Sequence, residues 1–415
     1  MNQNNLPPLT LDVLRAAVSG TAAAFRCVTK YQPAGGPGEK VFPPTYAGGV
    51  YAKEDRRING EVIPCVLLDS VQSQANRMEE ALSQAYEAEA LRFPLMVVDF
   101  SKRQDGSDQD DPEIARIGRI SALEAPHRIA DALFRDSVLM NGTVARKFRE
   151  SVEGRAYENA NTRNATAIYE LCPTALIFGT WDSTGSRGGL GNKFARILVS
   201  EVIGVNAIVG VRTSSRIDPL GIPRQIQVYD DGQGGWTLQD TGTLYGRNRE
   251  TRGRPSAINH GNIPPDLNES GGVTVDYALQ TTVLSLPGLR RLWFPGESGR
   301  PTNERNIAAR TVLAALALAA VVYHREVGCD LRSRCLLVPT ESSAAVELVQ
   351  SGSDWKPLAL TATQAAEVFA EAVKVARGTG LRWREEEIVL WPISELVNMV
   401  REGHRVLAQA EGEEP

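Results

Sequence analysis

GTWDSTGSRGGLGNKFARILVSEVIGVNAIVGVRTSSRID, residues Gly179 to Asp218, is the stretch from which the fold is read. A β-rich run over Thr174–Trp181 leads into a turn holding Gly185, Gly188, Gly189 and Gly191, with Arg187 and Lys193 among them. A long apolar run, about Phe194–Val211, follows, and then the basic segment Arg212-Thr213-Ser214-Ser215-Arg216. Glycine lacks a Cβ and lets the backbone approach a ligand, and cations beside it suit an anion. A plain tight turn is the competing reading. The interleaved Arg187, Lys193 and Arg196 favour an extended anion such as a nucleic-acid backbone. A phosphate loop of the GxxxxGK[ST] kind is absent, because Asn192, Lys193 and Phe194 follow Gly191, and no GxGxxG occurs.

Outward from this stretch, strands are expected at Thr21–Tyr31, Pro64–Leu68, Leu95–Phe100, Val273–Leu286, Ser333–Val338 and Ile388–Trp391. Helices are expected at Val71–Leu91 after the cap Asp69-Ser70, at about Pro126–Met140, Asn303–Val327, Thr361–Arg377 and Ser394–Gln409. Arg224–Asp240 reads as a hairpin of QIQVY and WTLQD, and Tyr245–Gly272 as a long polar loop. Arg146–Asn164 has no clear period. The segments 21–31, 71–91, 174–181, 194–211, 303–327 and 333–338 follow the order strand, helix, strand, strand, helix, strand. That is the βαββαβ order of a ferredoxin-like α+β fold with large insertions.

The 415 residues allow two or three ordinary domains or one large elaborated one. A net charge of −5 gives no global positive field, so any nucleic-acid site must be a local patch. The start, MNQNNLPPLT, is polar and has no leader pattern, and the apolar stretch Thr311–Tyr323 reads as too short to span a bilayer. Five scattered cysteines without a CxxC fit reduced thiols in a cytoplasm, and neither a metal nor a cofactor is expected.

Several stretches carry chemistry with more than one reading. Ser70, Gln72, Ser73, Gln74, Asn76 and Arg77 crowd the first turns of one helix, either as a phosphate seat at its N-terminus or as ordinary capping and a solvated face. Asp69 argues against direct phosphate contact at the cap. Arg247, Arg249, Arg252 and Arg254 read as a solvated loop or a nucleic-acid contact, beside the segment His260-Gly261-Asn262-Ile263-Pro264-Pro265. Asp108, Asp110 and Asp111 would hold a metal or simply form an acidic loop. His260 has no nucleophile motif to serve, and GxSxG is missing.

DSVQSQANRMEEAL (Asp69–Leu82), GSRGGLGNKFARILVSEVIG (Gly185–Gly204), GVRTSSRIDPLGI (Gly210–Ile222) and NHGNIPP (Asn259–Pro265) together carry a resemblance. ERNIAARTVLAALAL (Glu304–Leu318) and LRSRCLLVP (Leu331–Pro339) extend it. The chain resembles the backbone subunit of the type I-U, or I-G, CRISPR effector complex, in the RAMP superfamily. The resemblance implies a non-catalytic protein that binds CRISPR RNA, lines up in several copies along the guide as a helical filament, and joins other effector subunits in pairing with a target DNA strand. It implies an RRM-like palm with insertions over residues 1–340, including a finger region at about 92–173 and a hairpin with a thumb-like loop at about 217–290. Residues 341–415 would be a C-terminal α/β extension on the palm.

By matching block, Gln72, Gln74, Asn76, Arg77, Arg187, Gly188, Gly189, Lys193, Arg196, Arg212, Ser214, Ser215 and Arg216 would line the guide groove. Arg247, Arg249, Arg252, Arg254, His260 and Asn262 would belong to the thumb-like insertion. A subunit serving any spacer grips phosphate and 2′-OH and leaves base edges free, which suits these residue types. Aromatic base stacking is not expected as the main contact. Head-to-tail copies would need two complementary faces. The competing readings are a metal-dependent ribonuclease of the same superfamily using His260 or Asp182, and a nucleotide-binding enzyme, against which the missing phosphate loop argues.

Overall fold

Alternating burial along Ala24–Pro33 (β1) hides Phe25, Cys27 and Tyr31 on one face and leaves Val28 and Lys30 exposed on the other. This is the pattern of a strand covered on one side. The computed structural model describes residues 6–141, 144–184, 191–249, 251–268, 271–296, 299–340, 345–352 and 354–412. The chain is α+β. After the short helix Leu11–Ser19 (α1) and β1 come the hairpin Lys53–Ile58 (β2) and Glu61–Asp69 (β3), the helix Val71–Glu87 (α2) and the strand Leu198–Val205 (β4). An arm follows, containing Arg212–Arg216 (β5) and Ile263–Asn268 (β6). The chain then returns as the strand Tyr277–Ser285 (β7) and the helix Asn303–Val327 (α3). Cys329–Asp330 (β8), Leu336–Pro339 (β9), Val346–Val349 (β10), Trp355–Leu358 (β11) and the helix Ala362–Gly378 (α4) complete the central body.

The main sheet runs β8-β9-β1-β7-β4-β3-β2, and every pairing along it is antiparallel; β10 pairs with β1 and with β11. Register runs from Ala24↔Ser285 to Tyr31↔Ala278 between β1 and β7, and from Leu198↔Leu284 to Val205↔Tyr277 between β4 and β7. The order strand, helix, strand, strand, helix, strand is formed by β1, α2, β4, β7, α3 and β9, which lie in the sheet as β9-β1-β7-β4. One of the two middle strands expected from the sequence is therefore present, since β4 lies within 194–211, and the other is not. Thr174–Trp181 is mostly the helix Pro173–Phe178, and the second central partner is β7. Pro173 to Phe178 are all buried, so no period separates helix from strand there, while a proline at the first position favours helix. Pro126–Met140 is likewise not one helix. Arg128 has φ +52°, which interrupts it, Asp131 caps the separate turn Ala132–Arg135, and Ser137–Asn141 is a strand.

α3 is buried around its whole circumference from Ala308 to Val322, as expected of a helix apolar on every face. α1, α2 and α4 pack against it. Thr302 accepts a hydrogen bond from the Arg305 amide at 3.2 Å and starts the helix well before its apolar run, so it is longer than that run suggests. Among the described residues it is the one helix long and apolar enough to cross a membrane, and 89% of its most apolar window is buried within the protein. A second sheet orders Arg119–Ser121, Met96–Asp99, Ile388–Pro392, Ser137–Asn141 and Val144–Lys147, with Ile388–Pro392 parallel to Met96–Asp99. Residues beyond 340 thus supply strands to both sheets.

Candidate nucleic-acid interface

The start of α2 is built around a buried carboxylate. Ser70 caps the helix by accepting from the Ser73 amide at 3.2 Å. Asp69, fully buried, accepts from Ser73 Oγ (2.8 Å), Gln74 Nε2 (2.7 Å), Arg77 Nε (3.1 Å) and Arg332 (3.2 Å). Arg77 also donates to the carbonyls of Asp330 and Leu331. The Gln74 carbonyl oxygen accepts from Ser200 (2.9 Å) and Gln280 (2.7 Å), and Tyr31 donates to Gln280 (3.0 Å). This chain of polar groups crosses from helix to sheet and leaves each buried member satisfied. Gln74 and Arg77, expected in the groove, are therefore already engaged within the protein, Gln74 fully buried and Arg77 partly exposed. Helical spacing turns them toward the core with Met78, while Gln72 and Asn76 stay exposed. Arg332, which lies in the block Leu331–Pro339 but is not among the expected site residues, completes the clamp and also donates to the Phe42 carbonyl. His324 is buried beside this network; burial and then Arg77 push its pKa down to about 4.

Further along α2, Glu79 and Arg128 form a buried bidentate pair, both contacts at 2.6 Å, and Arg128 also donates to the Gly179 carbonyl. Burial pushes the Glu79 carboxyl up, to about 7, while Arg128 pulls the other way. Gly179 at φ +84° turns the chain into a small hairpin in which Thr180–Trp181 pairs with Lys193–Phe194. A Cβ there would sit 3.0 Å from the Arg196 nitrogen, so the turn requires glycine. Lys193 is exposed, its Nζ 5.3 Å from the centre of the Trp181 ring. Arg196 is half-buried, donates Nε to the Phe178 carbonyl at 2.9 Å, and has its pKa lowered by burial and then by Arg128. Arg187, Gly188 and Gly189 lie outside the described residues. Asp182 is buried, paired with Arg149 at 2.9 Å, and accepts from the Thr184 amide.

The arm leaves β4 and returns at β7. Its stalk pairs Ile208–Val209 with Val273–Thr274, and β5 with β6. The root is fastened by Lys40, which donates to the Val211 carbonyl at 2.9 Å, and by the Val41–Val273 bridge. Beyond the stalk, the buried Asp218 accepts from the Gly261 and Leu220 amides, Gly261 being the main cause of its lowered pKa. His260 Nδ1 lies 3.6 Å from it, and Asn262 Oδ1 accepts from the Asp218 amide at 2.7 Å. Arg216 donates to the carbonyls of His260 (2.7 Å) and Gly261. Arg216, His260 and Asn262 thus hold the arm's own shape. Ser214 lies on β5 opposite Asp266, and Ser215 is exposed. The expected hairpin at 224–240 is confined to Tyr229–Asp230 against Trp236–Thr237. Arg252 is exposed and donates to the Leu244 carbonyl at 3.3 Å. Arg212, Arg247, Arg249 and Arg254 are exposed and have no hydrogen-bond or ion-pair partner among the described residues.

The expected groove residues fall into two groups. The loop 40–42 and Arg332 join the start of α2 to the root of the arm. Lys193 and Arg196, in contrast, precede the beginning of β4 and the arm leaves from its end. Eight extended residues separate them, about 25 Å at 3.2–3.4 Å per residue. Cations thus stand at both ends of one central strand, without an ion-pair partner among the described residues, on a chain of net charge −5. Such sites attract a polyanion locally.

Residues 25–209 match a family model described as CRISPR-associated protein GSU0053 (Cas_GSU0053). The match supports a CRISPR-associated protein. It runs from β1 through β4 to Val209, so the arm beyond the first strand of its stalk lies outside it. No curated protein matches the chain.

Proposed function

We propose that this chain is a non-catalytic, CRISPR RNA-binding backbone subunit of a type I-U (I-G) effector complex, several copies of which line one guide. The observation that carries this reading is the arm, whose Arg212, Arg247, Arg249 and Arg254 are exposed without a carboxylate partner among the described residues. A base-blind grip on phosphate needs charges of this kind, free and projecting. The antiparallel order β9-β1-β7-β4 with α2 and α3 is that of a ferredoxin-like unit, which supports reading the body as an RRM-like palm and the arm as its thumb. The family match over residues 25–209 supports the coarser part of this reading, a CRISPR-associated protein. The partners on this reading are guide RNA, a target DNA strand paired to that guide, further copies of the chain and other effector subunits, in the cytoplasm.

The test is co-expression with a CRISPR array, purification, and extraction of bound nucleic acid. A uniform RNA with several chains per molecule is expected. Protein that purifies free of RNA would sink the proposal. Magnesium-dependent turnover of labelled RNA that disappears in His260→Ala would replace it with a ribonuclease.

A further inference from the structure

The hairpin Thr180–Trp181/Lys193–Phe194 borders a cleft of about 360 Å³, within the size range of small-ligand sites. Arg128, Lys193 and Arg196 line it, and none of its lining residues is acidic. Glu79 neutralises Arg128 from the buried side, which leaves Lys193 and Arg196 as excess positive charge facing the opening. Trp181 is 52% exposed and offers a flat ring to the same space. A half-exposed indole with Lys193 Nζ 5.3 Å from its ring centre and Arg196 in the same cleft, and no carboxylate among the described lining residues, suits a ligand that is both aromatic and anionic. Nucleotides have that composition.

We propose that this cleft takes one nucleotide of single-stranded RNA, its base stacked on Trp181 and its phosphate held by Lys193 and Arg196. The proposal rests on the RNA-binding reading above and adds to it a base contact, in a protein whose other candidate contacts are all to the backbone. The base must be unpaired, since only then is its face open to the indole. Any base serves, because stacking needs a π-face rather than a hydrogen-bonding edge.

The experiment uses the full chain and a fluorescein-labelled oligouridylate, followed by anisotropy over a series of salt concentrations. Trp181→Ala is expected to weaken binding about 5- to 150-fold with the salt slope unchanged. Trp181→Phe keeps a flat face and should stay within a few-fold of wild type. Lys193→Gln should lower the log–log slope by about 0.7, for the single phosphate that the lysine neutralises. An oligonucleotide carrying 5-bromouracil should cross-link to the peptide containing Trp181. If the wild type binds RNA and Trp181→Ala binds as well, the cleft proposal fails and the RNA-binding reading stands. A Phe variant as weak as the Ala variant also overturns stacking. If the wild-type chain binds no RNA, both readings fall.

Discussion

Replacing Asp69 with alanine removes the one acceptor on which Ser73, Gln74, Arg77 and Arg332 converge. Breaking a buried ion pair by deleting one partner costs about 3–5 kcal/mol. Arg77 and Arg332 keep 24% and 26% of their side chains exposed, and both retain backbone carbonyls as acceptors, so solvent and those bonds soften the loss. About 2–4 kcal/mol remains. With an unfolding entropy of about 2.1 cal/mol/K per residue, a chain of 415 residues loses about 2–5 °C in Tm. Differential scanning fluorimetry of wild type and Asp69→Ala reads this directly. Asp108→Ala serves as the control, because Asp108 is 87% exposed and its bond to Lys102 lies in solvent, and no shift is expected. A Tm for Asp69→Ala within about 1 °C of wild type would show that the polar chain through Gln74 and Gln280 does not depend on this carboxylate, and the reasoning would be refuted.

Other consequences are equally direct. His324 has a folded pKa of about 4 against an ordinary value of 6.5, so its contribution to stability is complete above pH 6.5 and is lost as pH falls toward 4. At about 1.4 kcal/mol per pH unit the window from pH 7 to pH 4.5 carries about 2–3 kcal/mol, and acid-induced destabilisation measured by urea unfolding at those two pH values should be smaller by about that much in His324→Gln. Gly179→Ala forces a side chain into a backbone region that glycine alone occupies readily and should cost about 1–3 kcal/mol; an unchanged urea midpoint would contradict this. Converting Arg247, Arg249, Arg252 and Arg254 together to alanine should shorten RNA-bound assemblies more than it weakens binding of one copy. Full-length assemblies in electron micrographs would count against the arm's role.

Much of the body is readable from residues alone, for reasons that also explain the failures. α3 keeps the boundaries Asn303–Val327 expected from the sequence, because its alanine- and leucine-rich centre is flanked by helix-compatible polar residues out to the Thr302 cap and to Gly328. β1 and the start of α2 follow from alternation and from the Ser70 cap. The place of β7 as the second central strand does not follow, since β7 pairs with β4 across the whole of residues 206–276, and sequence order favours nearby segments as partners. Within the site, the sequence shows which residues are cations but not which cations are already engaged. Arg212 and Arg216 are four residues apart on one strand, yet the second is tied to the 260–261 turn and the first is free among the described residues. Gln74 and Arg77 look like surface residues at a helix start until Asp69, Gln280 and Arg332 are seen to meet them from distant parts of the chain. Trp181 leaves only a faint trace, an aromatic residue at the edge of a glycine-rich turn.

The stalk also bears on how the chain folds. Joining β4 to β7 closes a loop over residues 206–276, and β1 must then find β7 from the far side of nearly the whole body. Pairings of such high contact order are slow to form. The zippered rungs Ile208–Val209 with Val273–Thr274 and β5 with β6 shorten the effective span stepwise, so that an arm formed early presents Val205 and Tyr277 to each other already in register. An arm that forms early would therefore act as a clasp on the two middle strands of the sheet, besides projecting charge outward.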